Sequence, residues 1–395
     1  MTAPALVVEE VARAAAEPRT ESGALVVDAR ALHASGIGRY LRELLGCWLR
    51  EPPFSRLVLL GEPPELPAWL EAQPVDAGLV TVVAHRGGFY TPAAQRSWLR
   101  VRRDGAVAHA AATFFPHWDA PLVAMPRRSL VTVHDLIPFR VPDAFPASRR
   151  IVAAPALRRV LRTARRVICV SEASARDVRQ WYPPAATRLS VILNGVSERF
   201  ADGEPGAAPL AGRYLLCVGN QKPHKNLAAA VGVLARLRST GYQDLRLLVV
   251  GRRFDDRGDV LSAARAAGVA EAVVAVDAAD DGALHAAYAH CAALLFPSRY
   301  EGFGLPVLEA MTAGAPVVAS TARAVVEVAG DAAALHPPDD VAGMAASVAA
   351  LLDDAEHRAR VIARGRARAA AYRWTDAARA TARELHGIAR AGASA

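Results

Sequence analysis

The chain contains 395 residues, 52% of them apolar and 22% charged, and carries a formal net charge of +8. This length is too great for one typical core and predicts two domains, and the lack of an uncharged apolar run of about 18 residues argues against a membrane-spanning helix. An aromatic content of 6%, without interleaved aromatic and basic residues, argues against a nucleic-acid-binding protein.

The first 22 residues contain glutamates where a secretion signal would need an apolar segment. We therefore expect a loose N-terminal extension over residues 1–22 and a cytoplasmic protein. The four cysteines are widely spaced in apolar surroundings, which is typical of neither a zinc site nor a disulfide framework. They are expected to be reduced thiols in the core.

Short apolar runs, each followed by a helix-like stretch, predict buried parallel strands that alternate with helices. This alternation is interrupted at residues 197–212, which are rich in Gly, Pro and Ala, and continues after them. This predicts two doubly wound α/β domains over residues 23–198 and 199–373, followed by a helix over 374–395 that crosses back onto the first domain. The predicted strands lie at 24–28, 56–61, 79–84, 129–135, 166–171 and 189–193 in the first domain, and at 213–219, 245–251, 272–276, 293–297, 316–320 and 333–337 in the second.

Ligands of open parallel sheets bind beyond the carboxyl ends of the strands, so residues that follow predicted strands are the candidate site residues. In the first domain Gly36 and Gly38 form a turn before a helix, which permits close approach of a ligand but also suits a tight turn. His134 and Asp135 end another strand, where the imidazole could bond a substrate hydroxyl and Asp135 could orient or charge it. A local turn network is the alternative interpretation of this pair.

The segment "GNQKPHKNL" at residues 219–227 contains both lysines of the chain, Lys222 and Lys225, whereas the other 45 basic residues are arginine. It follows a strand and enters a helix near Asn226, so helix amides and lysine charge would face the same point and favour an anion. Lysine can reach a phosphate as a compact charge on a flexible stem. The alternative is a solvent-exposed turn in which Pro223 and Asn226 are the turn and cap residues.

The segment 298–320 places a glycine-containing turn between a strand and a helix, with Glu301 and Glu309 separated by seven residues. Gly302 and Gly304 would let a ligand approach the backbone amides, and carboxylates accept hydrogen bonds from paired sugar hydroxyls. Surface charge is the alternative for the two glutamates. The helix around Glu309 is otherwise apolar, so this carboxylate would be costly to bury without a partner.

The basic surplus belongs to the first half of the chain. Residues 1–198 carry 25 arginines against 18 acids, whereas residues 199–395 carry 22 lysines and arginines against 21 acids. The densest groups of arginine lie within residues 96–103 and 149–166. They indicate either a solvated helix face or attraction to an anionic membrane surface or an acidic ligand.

These segments together resemble the retaining glycosyltransferases of the GT-B type, in particular family 4, which includes bacterial mannosyl- and rhamnosyltransferases. The most specific part of the resemblance is "EGFGLPVLEAMTAGAPVVAS" at 301–320, which follows the family's pattern of two glutamates separated by seven residues. "VSEASARDV" at 170–178, "ILNGV" at 192–196 and "EVAGDAAALHPPD" at 327–339 also fit. The resemblance covers nearly the whole chain after residue 22.

The resemblance implies two Rossmann-like domains facing a central cleft, an acceptor-side domain followed by a domain that binds a nucleotide-diphosphate sugar. Glu309 would bond the ribose, Lys225 the diphosphate, and Glu301 the sugar hydroxyls. His134 would sit beside the donor sugar, which makes His134 and Glu301 the predicted catalytic residues. The donor-binding residues expected from these segments are Gly36, Gly38, Asn220, Lys222, Lys225, Gly302, Phe303, Gly304, Leu305 and Glu309.

The sequence departs from this family at His224, because many relatives have arginine immediately before the matching lysine. Either Lys222 or His224 would then supply the second phosphate contact. No Asp-x-Asp stands beside a plausible metal site, so we expect neither a metal nor another cofactor. The implied reaction moves a hexose or deoxyhexose to a glycan or lipid-linked glycan, with retention at the anomeric carbon. Glycosylation of a soluble small molecule, a nucleotide-sugar epimerase, a sugar phosphorylase and a catalytically silent sensor are the competing interpretations.

Overall fold

The computed structural model describes residues 21–34, 36–62, 65–76, 78–141, 147–201, 204–253 and 259–393. The predicted N-terminal extension lies outside these residues, except that residues 21 and 22 already belong to the first strand. The chain divides into two compact units. Unit 1 comprises Met1–Leu136, Ser148–Gly195 and Arg373–Ala395, and unit 2 comprises Ile137–Ala147 and Val196–Tyr372.

Unit 1 is built on a seven-stranded parallel sheet in the order β3-β2-β1-β4-β5-β6-β7. The strands are β1 (Glu21–Asp28), β2 (Phe54–Gly61), β3 (Val80–Ala84), β4 (Ala112–Phe115), β5 (Ser129–Val133), β6 (Arg166–Cys169) and β7 (Leu189–Val191). The central strands β4 and β5 are short apolar segments buried on both faces, as expected where helices cover both sides of a parallel sheet, whereas the edge strands β3 and β7 are less buried. The helices of unit 1 in this half of the chain are α1 (Gly36–Arg50), α2 (Glu65–Glu71), α3 (Pro92–Val101), α4 (Gly105–Ala108), α6 (Ala147–Thr163, which enters the unit at Ser148) and α7 (Glu172–Trp181), whereas the short helix α5 (Ile137–Arg140) between them belongs to unit 2.

Unit 2 repeats this architecture with a six-stranded parallel sheet in the order β10-β9-β8-β11-β12-β13. The strands are β8 (Tyr214–Val218), β9 (Arg246–Val250), β10 (Val273–Val276), β11 (Ala293–Phe296), β12 (Val317–Ser320) and β13 (Ala334–His336). The helices are α8 (Leu227–Ser239), α9 (Val260–Ala266), α10 (Asp281–His290), α11 (Leu305–Ala313), α12 (Arg323–Ala329), α13 (Val341–Asp353) and α14 (Ala355–Ala369). The two doubly wound α/β sheets confirm the predicted fold class.

Strand β4 is the one described strand that the sequence analysis missed. It contains only Ala112, Thr113, Phe114 and Phe115, and it follows an alanine-rich segment that obscures its beginning. All four residues are buried, and β4 pairs with both β1 and β5 at the centre of the sheet. The omission matters because the residues that follow β4 belong to the polar site of unit 1.

The last helix, α15 (Trp374–Ala393), packs on unit 1 as the resemblance implied. Trp48 Nε1 of α1 donates to the Ala378 carbonyl at 3.2 Å, and the rings of Tyr40 and Trp374 lie 6.0 Å apart in an edge-on contact. Arg166 of β6 forms an ion pair with Glu384 at 2.9 Å. Residues 370–373 separate α14 from α15, so the last helix begins where the sequence analysis placed it.

The strand order reverses between β1 and β4 in the first sheet and between β8 and β11 in the second. At such a switch point the loops from the two neighbouring strands run in opposite directions and leave a crevice at the carboxyl edge of the sheet, where ligands of doubly wound folds bind. The two switch points therefore locate the candidate sites.

The four cysteines are free and buried, which confirms the predicted core thiols. Burial raises the pKa of Cys217 and of Cys291 to about 12, so both thiols are protonated at neutral pH. Within the described ranges, no helix is long and apolar enough to span a bilayer.

Candidate functional site

The switch point of unit 2 brings Lys225 and Glu301 together, although 76 residues separate them in sequence. Lys225 Nζ donates to Glu301 Oε1 at 2.7 Å, and the two side chains are only 13% and 10% exposed. The ammonium also lies 5.2 Å from the centre of the Phe296 ring. An ion pair this sheltered from water is strongly sensitive to loss of either partner.

Gly219, directly after β8, leaves room for the side chain of Lys225. Gly219 has a φ of +133°, and an added Cβ would lie 3.2 Å from both Cε and Nζ of Lys225. Gly251, at the end of β9, approaches the same turn so closely that an added Cβ would overlap the carbonyl oxygen of Gly219. Two glycines thus allow the lysine loop to fold tightly over the ends of β8 and β9.

Glu309 lies on α11 and is 4% exposed. Its carboxylate has the partner that burial requires, because the Tyr288 hydroxyl of α10 donates to Glu309 Oε2 at 2.8 Å. Tyr288 is itself buried and is a residue that the sequence analysis missed. The only signal for it was a tyrosine among alanines in α10.

The helices α8 and α11 both begin at this edge without a side-chain cap. The residues before them, Asn226 and Gly304, are left-handed with φ of +56° and +120°. The alternative interpretation of this loop made Asn226 a capping residue, but its Nδ2 donates to the carbonyls of Pro338 and Pro297 at 2.7 and 3.3 Å. Neither capping residue therefore accepts from the first amides of its helix, and an N-terminus without a side-chain cap is the arrangement that binds anions.

His224 is buried, and burial lowers its pKa to about 4, with the charges of Lys225 and Lys222 acting in the same direction. The ring is therefore neutral at pH 7 in the absence of a ligand, and a contact of His224 with a phosphate stays a prediction. Its Nδ1, and the Oδ1 of Asn220, are buried without a hydrogen-bond partner among the described residues. Lys222 is half-buried in the same loop.

The turn before α11 contains the glycines of the predicted donor segment. Gly302 and Phe303 are buried, and the Phe303 ring packs edge-on against Tyr372 at 6.1 Å. Only the backbone of Phe303 is therefore suited to face a ligand. Leu305 is the half-buried first residue of α11.

In unit 1, His134 follows β5 and its Nε2 lies 2.7 Å from the Pro116 carbonyl. A carbonyl only accepts, so Nε2 carries the proton and Nδ1 keeps a free lone pair for a hydrogen bond. Burial lowers the pKa of His134 to about 4, which keeps the ring neutral at pH 7. The carbonyl of Pro116 therefore orients the imidazole, whereas the proposed role of the neighbouring half-buried Asp135 stays a prediction.

The two glycines at the start of α1, Gly36 and Gly38, have different surroundings. An added Cβ at Gly38 would lie 2.6 Å from the Leu32 carbonyl oxygen, so this glycine is needed for the close packing of α1 on the preceding loop. Gly36, the exposed first residue of α1, has no atom within 4 Å of an added Cβ. Gly36 rather than Gly38 is therefore the position open to a ligand.

The switch point of unit 1 contains a buried charge cluster that the sequence analysis missed. Arg30 donates from Nε and NH2 to the two oxygens of Asp28, at 2.9 and 2.6 Å, and lies 3.4 Å from Asp119 Oδ2. Although burial disfavours its charge, the two carboxylates raise the pKa of Arg30. Burial raises the pKa of Asp119 to about 6 against the opposing effect of Arg30. Polar residues directly after β1 and after the missed β4 were the available signal.

Among the residues that the structure describes, no three His, Cys, Asp or Glu side chains converge in a group suited to hold a metal ion. One pair of adjacent aspartates in the sequence, Asp255–Asp256, lies outside the described residues.

Two doubly wound parallel sheets in series, with a last helix that returns to the first unit, define the GT-B class of glycosyltransferase fold. The structure of Anabaena HepE in complex with UDP-glucose is similar to this one, with a TM-score of 0.70 at 17% sequence identity. The alignment covers 94% of this chain and 100% of the HepE chain. This likeness concerns the fold.

Two family models match consecutive parts of the chain: Glycosyltransferase Family 4 over residues 34–200 and Glycosyl transferases group 1 over residues 201–368. The chain is 29% identical to the O-antigen chain mannosyltransferase B of Escherichia coli over 62% of its own length, and 35% identical to the phosphatidyl-myo-inositol mannosyltransferase of Mycolicibacterium smegmatis over 50%. The matches span 67% and 52% of the length of these two relatives. The chain belongs to the GT-B glycosyltransferases of family 4.

Proposed function

We propose that this protein transfers a hexose or deoxyhexose, mannose- or rhamnose-like, from a nucleoside-diphosphate sugar to a hydroxyl of a glycan or lipid-linked glycan, with retention at the anomeric carbon. The observation that carries the proposal is the meeting of Lys225 and Glu301 at the β8/β11 switch point, beside two helix N-termini without side-chain caps. The mannosyltransferase names of the two relatives support the choice of sugar.

The donor would bind with its diphosphate at Lys225 and at the first amides of α8 and α11. Cleavage of the anomeric bond places negative charge on the leaving phosphate, and preorganised cations and amides at that point stabilise the charge as it develops. Glu301 both accepts from Lys225 and has a second oxygen for a sugar hydroxyl. Glu309, held by Tyr288, would accept from the ribose hydroxyls.

His134 would act in unit 1 as a neutral hydrogen-bond acceptor through Nδ1, because Nε2 donates to Pro116. An imidazole with its pKa lowered to about 4 does not act as a cation at neutral pH, so its role would be to position a hydroxyl. The proton of the attacking hydroxyl would pass to the leaving phosphate, as the family resemblance implies. His134 is thus proposed to orient the reacting groups.

The basic surface of unit 1 is the proposed contact with an anionic membrane, and a peripheral location on the inner membrane face stays a prediction. Arg158 and Arg162 of α6 are exposed, as are Ile151 and Val152 on the same helix. Arg159, which lies between them on the same helix, is half-buried and its Nε donates to the Leu122 carbonyl at 3.1 Å. Arg158 and Arg162 are therefore the cations that α6 presents to headgroups, beside exposed arginines elsewhere in the unit such as Arg165.

The proposed function predicts that at least one nucleotide sugar releases its nucleoside diphosphate when the protein and a glycan acceptor are present. A panel of UDP-, GDP- and dTDP-sugars, assayed for released diphosphate, identifies the donor. Glu309→Gln should reduce turnover about ten- to a hundredfold, since loss of a charge-assisted hydrogen bond costs about 1.5–3 kcal/mol.

Three outcomes of this panel would contradict the proposal in different ways. Interconversion of sugars without transfer would identify an epimerase, and transfer to a small soluble molecule alone would identify the alternative acceptor class. Binding of no nucleotide sugar would leave the GT-B fold without the proposed activity.

Activity is also expected to survive excess chelator, because Lys225 and helix amides would supply the positive charge at the diphosphate. The measurement compares initial rates in EDTA and after addition of Mg²⁺ or Mn²⁺. Rates that collapse in EDTA and recover with either ion would show that a metal bridges the phosphates.

A further inference from the structure

Unit 1 contains a cavity of about 180 Å³ at the carboxyl ends of β1, β2 and β3, next to the switch point of the sheet. At roughly 30 Å³ per water molecule, this volume corresponds to about six waters and suits a single monosaccharide ring. The residues whose polar groups or backbone line it are Arg30, His33, Glu62, Glu65, Gly87 and Gly88.

The wall of the cavity is fixed by hydrogen bonds. Glu62 Oε1 accepts from the Gly87 amide at 2.6 Å, and Arg30 NH1 donates to the Gly87 carbonyl at 3.3 Å. Gly87 has a φ of +107°, and its backbone lies against α3 so closely that an added Cβ would meet Ala94 N at 2.5 Å. The cavity is therefore a preformed feature of the unit, with little conformational entropy to lose on binding.

The charge of the cavity is opposite in sign to the surplus of the unit. The positive charge of Arg30 is compensated by Asp28 and Asp119, which leaves Glu62 and Glu65 as an excess of negative charge. His33 Nε2 lies 3.9 Å from Glu65 Oε2, and both side chains are exposed to solvent. An anionic ligand would be repelled here, whereas carboxylates and an imidazole suit a ligand rich in hydroxyl groups.

An exposed aromatic ring follows the cavity wall directly. Tyr90 is 53% exposed and has a φ of +61°, an uncommon conformation for a bulky residue. It is held there by Asp119, whose Oδ1 accepts from the Tyr90 amide at 3.1 Å, and by Trp118, whose ring lies 4.8 Å away. Strained residues that are fixed in this manner cluster at ligand sites. The ring offers an apolar face to a neighbouring sugar unit.

We propose that this cavity binds one neutral, uncharged sugar ring of the acceptor, and that the basic surplus of unit 1 plays no part in recognising that ring. The proposal rests on the proposed function, because it names the acceptor chemistry of the same enzyme. A neutral acceptor sugar would bind in the acidic cavity, whereas any anionic group of the acceptor or of a membrane would bind elsewhere on the unit. The net charge of the unit alone does not distinguish these two contacts.

The test adds bulk at the cavity wall without a backbone clash. Gly88 lines the cavity, an added Cβ there meets no atom within 4 Å, and Gly88 does not have a positive φ, so Gly88→Leu is tolerated by the backbone and places a large side chain at the cavity. Gly105→Leu is the matched control, because Gly105 has equally open surroundings and does not line the cavity. The probes are the methyl glycosides of mannose, rhamnose, glucose and galactose, together with mannose 6-phosphate.

Saturation-transfer NMR on the full chain should detect at least one neutral glycoside with wild type and with Gly105→Leu, and at least tenfold weaker binding with Gly88→Leu. Mannose 6-phosphate should bind at least tenfold more weakly than the neutral mannoside, and Glu65→Gln should narrow that difference. Binding of the glycoside to Gly88→Leu at wild-type strength, preference for the phosphate ester, or binding of no neutral glycoside would each overturn the proposal.

Nucleotide binding in the same samples separates this proposal from the proposed function. Gly88→Leu should keep wild-type affinity for the nucleoside diphosphate, because the substitution lies in unit 1. Failure of nucleotides to bind wild type would contradict the donor site in unit 2 and leave the glycoside comparison as an independent result.

Discussion

Replacing Lys225 with alanine is expected to weaken nucleoside-diphosphate binding by about ten- to a hundredfold, since a hydrogen bond to a charged group contributes about 1.5–3 kcal/mol. The change removes the cation and also leaves Glu301, whose side chain is 10% exposed, without its ion-pair partner. The freed carboxylate would then repel the diphosphate. The loss should therefore reach the upper end of this range.

The double variant Lys225→Ala with Glu301→Gln separates these two contributions. It removes the unpaired carboxylate, so it should recover part of the lost affinity and of the lost stability while remaining below wild type. Arg213→Ala is the matched control, because Arg213 is an exposed cation of the same unit that pairs with Asp244. Isothermal titration with the nucleoside diphosphate measures all three, and wild-type affinity in Lys225→Ala would remove this lysine from the donor site.

Lys222→Ala in the same titration decides the source of the second phosphate contact. His224 is neutral at pH 7, so Lys222 is the remaining side-chain cation of the loop. An affinity of Lys222→Ala below that of wild type would assign the second phosphate contact to Lys222. An unchanged affinity would exclude Lys222 and leave the helix amides or the N–H of the neutral His224 ring as the donor.

Gly251→Ala is expected to destabilise unit 2 by more than about 3 kcal/mol, because the new Cβ would overlap the Gly219 carbonyl at the paired ends of β8 and β9. The clash involves backbone and cannot be relieved by a side-chain rotation. Relief requires the Gly219 turn to move, and this turn carries Lys225. The variant should therefore lose nucleotide affinity as well as stability.

Differential scanning calorimetry and the nucleotide titration measure the two effects. Gly206→Ala provides the control within unit 2, since its new Cβ would make an ordinary 3.9 Å contact with Ala286. An unfolding temperature and an affinity equal to those of wild type in Gly251→Ala would show that the turn tolerates displacement.

The alternation of apolar runs with helical segments predicted every described strand except β4, because buried parallel strands are marked by local composition. Strand β4 was not predicted because an apolar run of four residues after an alanine-rich segment is too short to be distinguished from that segment. The position of Lys225 and Glu301 beyond strand ends was also predictable from sequence. Their direct ion pair was not, because it joins two loops that only the strand order brings together.

The protonation states of the histidines depend on burial and could not be predicted from residue type. His134 and His224 both carry a pKa lowered to about 4, and one was considered as a group that Asp135 could charge and the other as a phosphate contact. Tyr288, the hydrogen-bond partner of Glu309, lies on a different helix 21 residues away. Such partners follow from packing between elements, which a linear pattern does not contain.

The return of α15 to unit 1 affects the order in which a newly made chain can fold. Trp48, Tyr40 and Arg166 find partners on a helix that the ribosome makes only after the whole of the second sheet. Unit 2 can complete its sheet during synthesis, whereas unit 1 must wait with an apolar face of α1 uncovered until residues 374–393 emerge. The half of the chain that is made first is therefore completed last, and its unfinished state is the one that would need protection from aggregation in the cell.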